Sequence, residues 1–290
     1  MNILNLITEI EKVDPEVYER LDQRRQVFKH FAGFGKKLTA AAVPLAMGSM
    51  FQKAYGQSSG LSKQIIDVLN FALTLEYLEY YFYDMGVNRR NLFVQGDLTA
   101  ITKIRDDEYN HVMFLRAVLG SNAIADPTAA AFDYTGAKGG KRAALIPEVF
   151  RYPDRFLMLA QAFEDTGVRA YKGGAPLLMS NNTVLLAALN IHSVEARHAS
   201  HIRTMRRGGV KANGDPKSWV SGGGSDHPSF ADPVYGPGNP ASMYPPEANT
   251  TQAGIDLTMF PNVNANQAAE AFDEPLDTGT VLAIAGNFLV

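Results

Sequence analysis

The sequence contains no cysteine and only one tryptophan among its 290 residues. The missing thiols exclude disulfides, thiolate metal sites, Cys-x-x-Cys electron-transfer modules and cysteine nucleophiles, while leaving the compartment open. Long apolar runs are also missing: no stretch reaches the roughly 18 residues from which a membrane-crossing helix is read. Neither sign of charge is in large excess. A formal net charge of −3 and a pI near 6.1 leave no basic footprint for nucleic acid. What is present, 46% hydrophobic and 20% charged residues, fits a globular chain with a substantial core, as one large domain or two modest ones.

From Leu61 onward apolar residues recur at helical spacing, and four helices are expected. The first is capped by Ser62, carries the stripe Ile65, Leu69, Ala72, Glu76, Tyr80 and Tyr83, and ends near Gly86. Asp97 is expected to cap the second, whose inner face holds Ile101, Ile104, Glu108, His111 and Leu115. Asp154 is expected to cap the third, which carries Phe156, Leu157, Ala160, Phe163, Glu164, Gly167 and Tyr171 and stops at Gly173-Gly174. The fourth starts at Ser180-Asn181-Asn182, runs through Leu189, Glu195, His198 and Ile202, and ends before Gly208-Gly209. Residues 120–153 show no sustained period. A connection that long has a topological reason if the second and third helices are parallel. The expected architecture is all-α: a four-helix bundle over 61–207 with a long crossover between helices 2 and 3, an extension over 1–60 and a loop-rich wrap over 208–290.

Two Glu-x-x-His motifs organise this pattern, Glu108-Tyr-Asn-His111 and Glu195-Ala-Arg-His198. Residues three apart share a helix face, so each motif can offer a carboxylate and an imidazole to one ion. Glu76 precedes Glu108 by 32 residues and Glu164 precedes Glu195 by 31, each on an otherwise apolar stripe. A carboxylate buried there must be protonated, paired or bound to metal. One Glu from each of two helices and Glu-x-x-His from each of the other two is the ligand pattern of a dinuclear carboxylate site in a four-helix bundle. The candidate ligands are therefore Glu76, Glu108, His111, Glu164, Glu195 and His198. A pseudo-repeat supports the pairing: tyrosines follow the first-helix and third-helix glutamates at Tyr83 and Tyr171, glycines at Gly86 and Gly174, and Arg116 matches Arg203. The same register pairs Glu79 with Gly167, which selects Glu76 over Glu79. Glu79 is expected to be solvated or a spare carboxylate beside the site. Asp106 and Asp107 read as helix-face solvation or as a partner for a ligand imidazole, and His192 and His201 as flanking or exposed groups. Tyr83 and Tyr171 read either as hydrogen-bond donors to ligand carboxylates or as ordinary core aromatics. Carboxylates and imidazoles suit iron and manganese, and affinity order alone selects neither over zinc; two metal ions are expected, iron first and manganese as the alternative. Four glutamates supply −4 against +4 from two divalent ions, and open positions would admit O2 or peroxide.

The N-terminal segment has two readings. Arg24-Arg25, the weakly apolar stretch Leu38–Gln52 and small residues at Ala46-Met47-Gly48 or Ala54-Tyr55-Gly56 match a twin-arginine export signal, which would place the protein in the periplasm or envelope. The alternative is an amphipathic helix docked on the bundle or on a partner, in a cytoplasmic protein. The tail after Gly208 is rich in glycine and proline, with anchors at Trp219, Phe230, Tyr235 and Tyr244 and a short helix expected near the C-terminus. It reads as a wrap over the bundle, or else as a partner or homo-oligomer surface.

Phe71-Ala-Leu-Thr-Leu-Glu76-Tyr-Leu-Glu, Arg105-Asp-Asp-Glu108-Tyr-Asn-His111 and Ala271-Phe-Asp-Glu-Pro-Leu276 resemble the ferritin-like superfamily, and within it bacterial ferritin-like proteins grouped with desiccation-related proteins. The resemblance implies that Glu108 and Glu195 bridge two metals, that Glu76 and Glu164 bind terminally, and that His111 and His198 each cap one metal. It also implies an oxidoreductase consuming O2 or peroxide in oxidative or desiccation stress. A non-enzymatic envelope protein with a structural metal, and a storage shell, are the competing roles, since one fold hosts many chemistries.

Overall fold

The computed structural model describes residues 60–209, 212, 214–221 and 227–290. The amphipathic helix expected near the N-terminus, the twin-arginine-like segment with both cleavage points, and Gly222-Gly223-Gly224 lie outside the described residues.

Four long helices carry the fold: α1 (Lys63–Val87), α2 (Gln95–Leu119), α3 (Pro153–Gly174) and α4 (Asn182–Arg206). α1 begins on the expected cap, and α4 begins within the expected Ser180-Asn181-Asn182 start, with Asn181 as its cap. The Ser62 hydroxyl accepts the Ile65 N–H at 3.3 Å and Asn181 Oδ1 accepts the Val184 N–H at 3.2 Å, each satisfying a donor that the first helical turn leaves free. The expectation for α2 and α3 is corrected: the N-caps are Val94 and Tyr152, and Asp97 and Asp154 lie within the first turn. In α3 the cause is Pro153, whose fixed φ and missing N–H suit the first helical position. The carboxylates in the first turns still meet the positive end of each helix.

Side-chain contacts fix the directions. Tyr83 on α1 bonds Glu164 on α3, and Tyr171 further along α3 bonds Glu76 earlier on α1, so the two helices are antiparallel. Asn70, near the start of α1, bonds the Asn122 carbonyl and the Ile124 N–H just past α2, so α1 and α2 are antiparallel as well. α2 and α3 therefore run parallel, and residues 120–152 form the crossover that this topology requires. Phe132, Tyr134, Ile146 and Val149 of the crossover are buried, and the Tyr134 hydroxyl donates to the Leu78 carbonyl at 2.8 Å. Phe82 and Phe156 stack at 4.2 Å beneath it, and Phe163 meets Phe82 edge-on.

The tail holds α5 (Asp232–Tyr235), a two-stranded antiparallel ladder of β1 (Thr251–Gln252) and β2 (Ile255–Asp256), α6 (Ala265–Ala269) and α7 (Thr278–Ala285). The ladder is the one departure from an all-α description among the described residues. Ala253 and Gly254, both at positive φ, make the tight two-residue turn that closes it. Val234, Tyr235, Leu276, Val281 and Phe288 join the bundle's hydrophobic core, and Leu289 forms a bridge to Phe132. Arg169 on α3 fastens this segment: its guanidinium donates to the carbonyls of Val234, Gly236, Pro245, Glu274 and Pro275 and pairs with Glu247 at 2.9 Å.

Candidate metal centre

The bundle interior brings all six predicted ligand residues together. Glu76, Glu108, Glu164 and Glu195 have 0% exposure, and His111 and His198 are buried. Each helix contributes what its register dictates: one glutamate from α1, one from α3, and Glu-x-x-His from α2 and α4.

The six residues resolve into two overlapping groups. Glu76, Glu108, His111 and Glu195 form one; Glu164, Glu108, His198 and Glu195 form the other; within each, the ligand atoms lie within 4.8 Å of one another. Glu108 and Glu195 belong to both. His111 Nδ1 lies 3.1 Å from Glu76, 3.0 Å from Glu108 and 3.2 Å from Glu195. His198 Nδ1 lies 2.8 Å from Glu108 and 3.4 Å from Glu164. Close as these contacts are, Glu108 Oε1, Glu164 Oε2, both oxygens of Glu195 and His198 Nδ1 make no hydrogen bond of normal geometry. These atoms nonetheless belong to the groups whose ligand atoms all lie within 4.8 Å of one another. Atoms bound about 2 Å from one cation are spaced in this way. Buried polar atoms left without partners are costly, so the donor set fits a pair of cations.

Proton affinities of the metal-free cluster record the same crowding. Burial pushes Glu76 up to about 7 in spite of His111 beside it, and pushes Glu164 up in spite of His198. Glu195 is raised further, by burial and then by the charges of Glu108 and Glu76. Burial acts on Glu108 too, but the imidazoles of His111 and His198 together outweigh it and hold that carboxyl well below the usual range. Burial would lower both imidazoles, yet Glu76 and Glu108 raise His111, and Glu164 and Glu108 raise His198. The cluster thus holds protons where ions of higher charge could sit.

Glu79 lies outside both groups. The expectation that it might be solvated is corrected: it is 3% exposed, because α1 turns this position inward one turn beyond Glu76. Burial and the charges of Glu195, Glu108, Glu164 and Glu76 push its carboxyl well above the ordinary value, which favours its protonated form. The signal was present in sequence as the i, i+3 spacing from Glu76. Opposite it in the repeat, Gly167 has no side chain, and a Cβ there would lie 3.0 Å from Glu195 Oε2.

The Tyr83 hydroxyl donates to Glu164 Oε1 and the Tyr171 hydroxyl to Glu76 Oε1, each crossing between α1 and α3. Asp107 faces His198 Nε2 at 3.4 Å, whereas Asp106 is exposed and pairs with Arg105. His192 is half-buried and His201 exposed, and neither joins the groups. The repeat extends beyond the ligands: Arg116 donates to the Tyr77 hydroxyl, and Arg203 grips Asp165 with two nitrogens, Tyr77 and Asp165 each following a ligand glutamate.

A search of family models matches the ferritin-like domain over residues 64–207. No curated protein and no solved structure matches the chain. The matched span opens one residue into α1, closes just past α4, and includes both Glu-x-x-His motifs and the crossover. The bundle of this protein is a ferritin-like domain, and through it the chain belongs to the ferritin-like superfamily.

Proposed function

We propose that this protein is a dinuclear iron or manganese carboxylate oxidoreductase that reacts with O2 or peroxide. The observation that carries the proposal is the pair of four-residue groups sharing Glu108 and Glu195. In this reading Glu76 and His111 would hold one ion, Glu164 and His198 would hold the other, and Glu108 and Glu195 would serve both. Two such ions, when bound, supply two-electron redox chemistry toward O2 or peroxide.

The chain's own residues do the rest. Four ionised glutamates balance two divalent ions, and Glu79 adds no fifth charge while it keeps its proton. Tyr83 and Tyr171 each hold one oxygen of a terminal glutamate, turning the other toward the ion; such partners orient ligands and tune their basicity. Burial restricts the substrate. With the four ligand glutamates wholly buried and only slivers of Glu79, His111 and His198 exposed, the centre suits molecules of two to four atoms. Iron is the first choice of metal and manganese the second, because carboxylate-rich sites suit both.

The physiological reading is protection against oxidative or desiccation stress. It rests on the small-oxidant chemistry and the sequence resemblance, and export to the envelope rests on Arg24-Arg25, the weakly apolar stretch after it and the small residues at 46–48 or 54–56. The test is Fe(II) oxidation and peroxide consumption by metal-loaded protein beside a Glu108→Ala, Glu195→Ala variant. Turnover in the wild type and its loss in the variant are expected; equal turnover in both would refute the assignment. A second reading, in which the metal only stabilises the bundle, draws on the same deep burial. It would be favoured by a metal-stripped protein that melts far lower together with a loaded form that turns nothing over.

A further inference from the structure

The two halves of the cluster match in their ligands but not in what stands behind them. His198 is gripped at both ring nitrogens. Nδ1 faces Glu108 and Glu164, while Nε2 faces Asp107 Oδ2 at 3.4 Å across the α2–α4 interface. Asp107 is itself held, since Lys103 one turn earlier on α2 pairs with its other oxygen. A carboxylate on Nε2 keeps the proton on that nitrogen and presents the Nδ1 lone pair inward. His111 has no such support: among the described residues its contacts are all through Nδ1, with Glu76, Glu108 and Glu195. The repeat shows why. Asp107 immediately precedes Glu108, and the residue immediately preceding Glu195 is Val194, which has no acceptor to offer.

We propose that the two metal positions are inequivalent, the Glu164–His198 position taking a divalent transition-metal ion first and more tightly because Asp107 backs His198. Asp107 is thus a positioning residue that touches no metal, and this inference rests on the metal-binding reading above. Carboxylates behind a histidine ligand change metal affinity by about 10- to 100-fold when removed. Sharing Asp107 with Lys103 places its effect toward the lower end of that range.

The experiment is a calorimetric titration of metal-free full-length protein with Mn(II), with the Mn(II) electron paramagnetic resonance signal followed in parallel. Wild type is expected to fill in two steps, the first giving an isolated-ion signal and the second a coupled pair. Asp107→Asn keeps the size and polarity of a side chain that is only partly buried, and is expected to leave metal-free melting unchanged. It should weaken the tight step by roughly tenfold and spare the weak step. Val194→Asp supplies the missing acceptor and should tighten the weak step, narrowing the gap. An unchanged gap in Asp107→Asn would overturn the proposal, since the two steps would then reflect repulsion between the ions alone; so would an equal shift of both steps. Two ions bound without this asymmetry would leave the metal-binding reading standing, whereas no Mn(II) binding to the wild type would sink both.

Discussion

Replacing Arg169 with methionine should release the C-terminal wrap from the bundle. Arg169 is 1% exposed and Glu247 is 3% exposed, so their ion pair is fully internal. Removing one partner of such a pair costs about 3–5 kcal/mol. Five carbonyls from three separate stretches of the tail lose a donor at the same time. Two effects limit the total. Burial already pushes Glu247 up to about 8 even with Arg169 beside it, so without the guanidinium the carboxyl keeps its proton and no bare charge is stranded. Carbonyls near the rim of the wrap can also turn to water. A loss of about 4 kcal/mol follows, which at roughly 2–4 °C per kcal/mol is a melting decrease of about 8–16 °C. Arg169→Lys should recover little, because one ammonium cannot reach acceptors spread around a planar guanidinium. Calorimetry gives the shift, and limited proteolysis should show new cleavage between residues 227 and 277 while the four long helices stay protected. A shift below about 2 °C, or cleavage unchanged from wild type, would refute the clasp.

Gly167→Ala should separate stability from metal affinity. Its Cβ would lie 3.0 Å from Glu195 Oε2, displacing a carboxylate that both groups share, while the helix gains about 0.5–1 kcal/mol from losing a glycine; metal-free melting should hold or rise while Mn(II) affinity falls. Tyr83→Phe and Tyr171→Phe each delete a buried bond to a carboxylate, worth about 1.5–3 kcal/mol, and their losses measured by denaturant unfolding should depart from additivity because both glutamates belong to one network through Glu108. Metal-free protein should lose stability as pH rises from about 5 to 8. Glu76, Glu164 and Glu195 are raised above their unfolded value of 4.5, and His111 and His198 above theirs of 6.5, so across that window the folded state holds protons that the unfolded chain has released. The depressed Glu108 acts the other way, but only below pH 4.5. Over the same window metal affinity should rise with pH, because binding displaces those protons.

The ligand-bearing helices were legible because their signal is periodic and doubled. A carboxylate at Glu76 within an apolar stripe, and again at Glu164, has few physical explanations, and the repeat sets the register of both. Ser62 was legible as a cap, and Ser180-Asn181-Asn182 as a helix start, because such side chains have little other use before an apolar run. Asp97 and Asp154 misled because an aspartate two or three residues inside a helix also favours its positive end, so residue type alone does not place the boundary. Glu79 stayed between solvent and a place beside the site because its counterpart is a glycine: the symmetry that identified the ligands says nothing of an asymmetric neighbour, and only its burial decides for the second. Long-range features stayed hidden for another reason. No local pattern reveals that Arg169 gathers carbonyls from positions 234 to 275, or that β1 and β2 pair through two residues each, because both depend on where a loop-rich segment lands.

In the proposed reading, two ions share Glu108 and Glu195. Anomalous scattering measured at the iron and manganese edges from crystals of metal-loaded protein tests it most directly. Two peaks are predicted, one bounded by Glu76 and His111, the other by Glu164 and His198, with Glu108 and Glu195 in contact with both. A single peak, or none within the bundle, would contradict it.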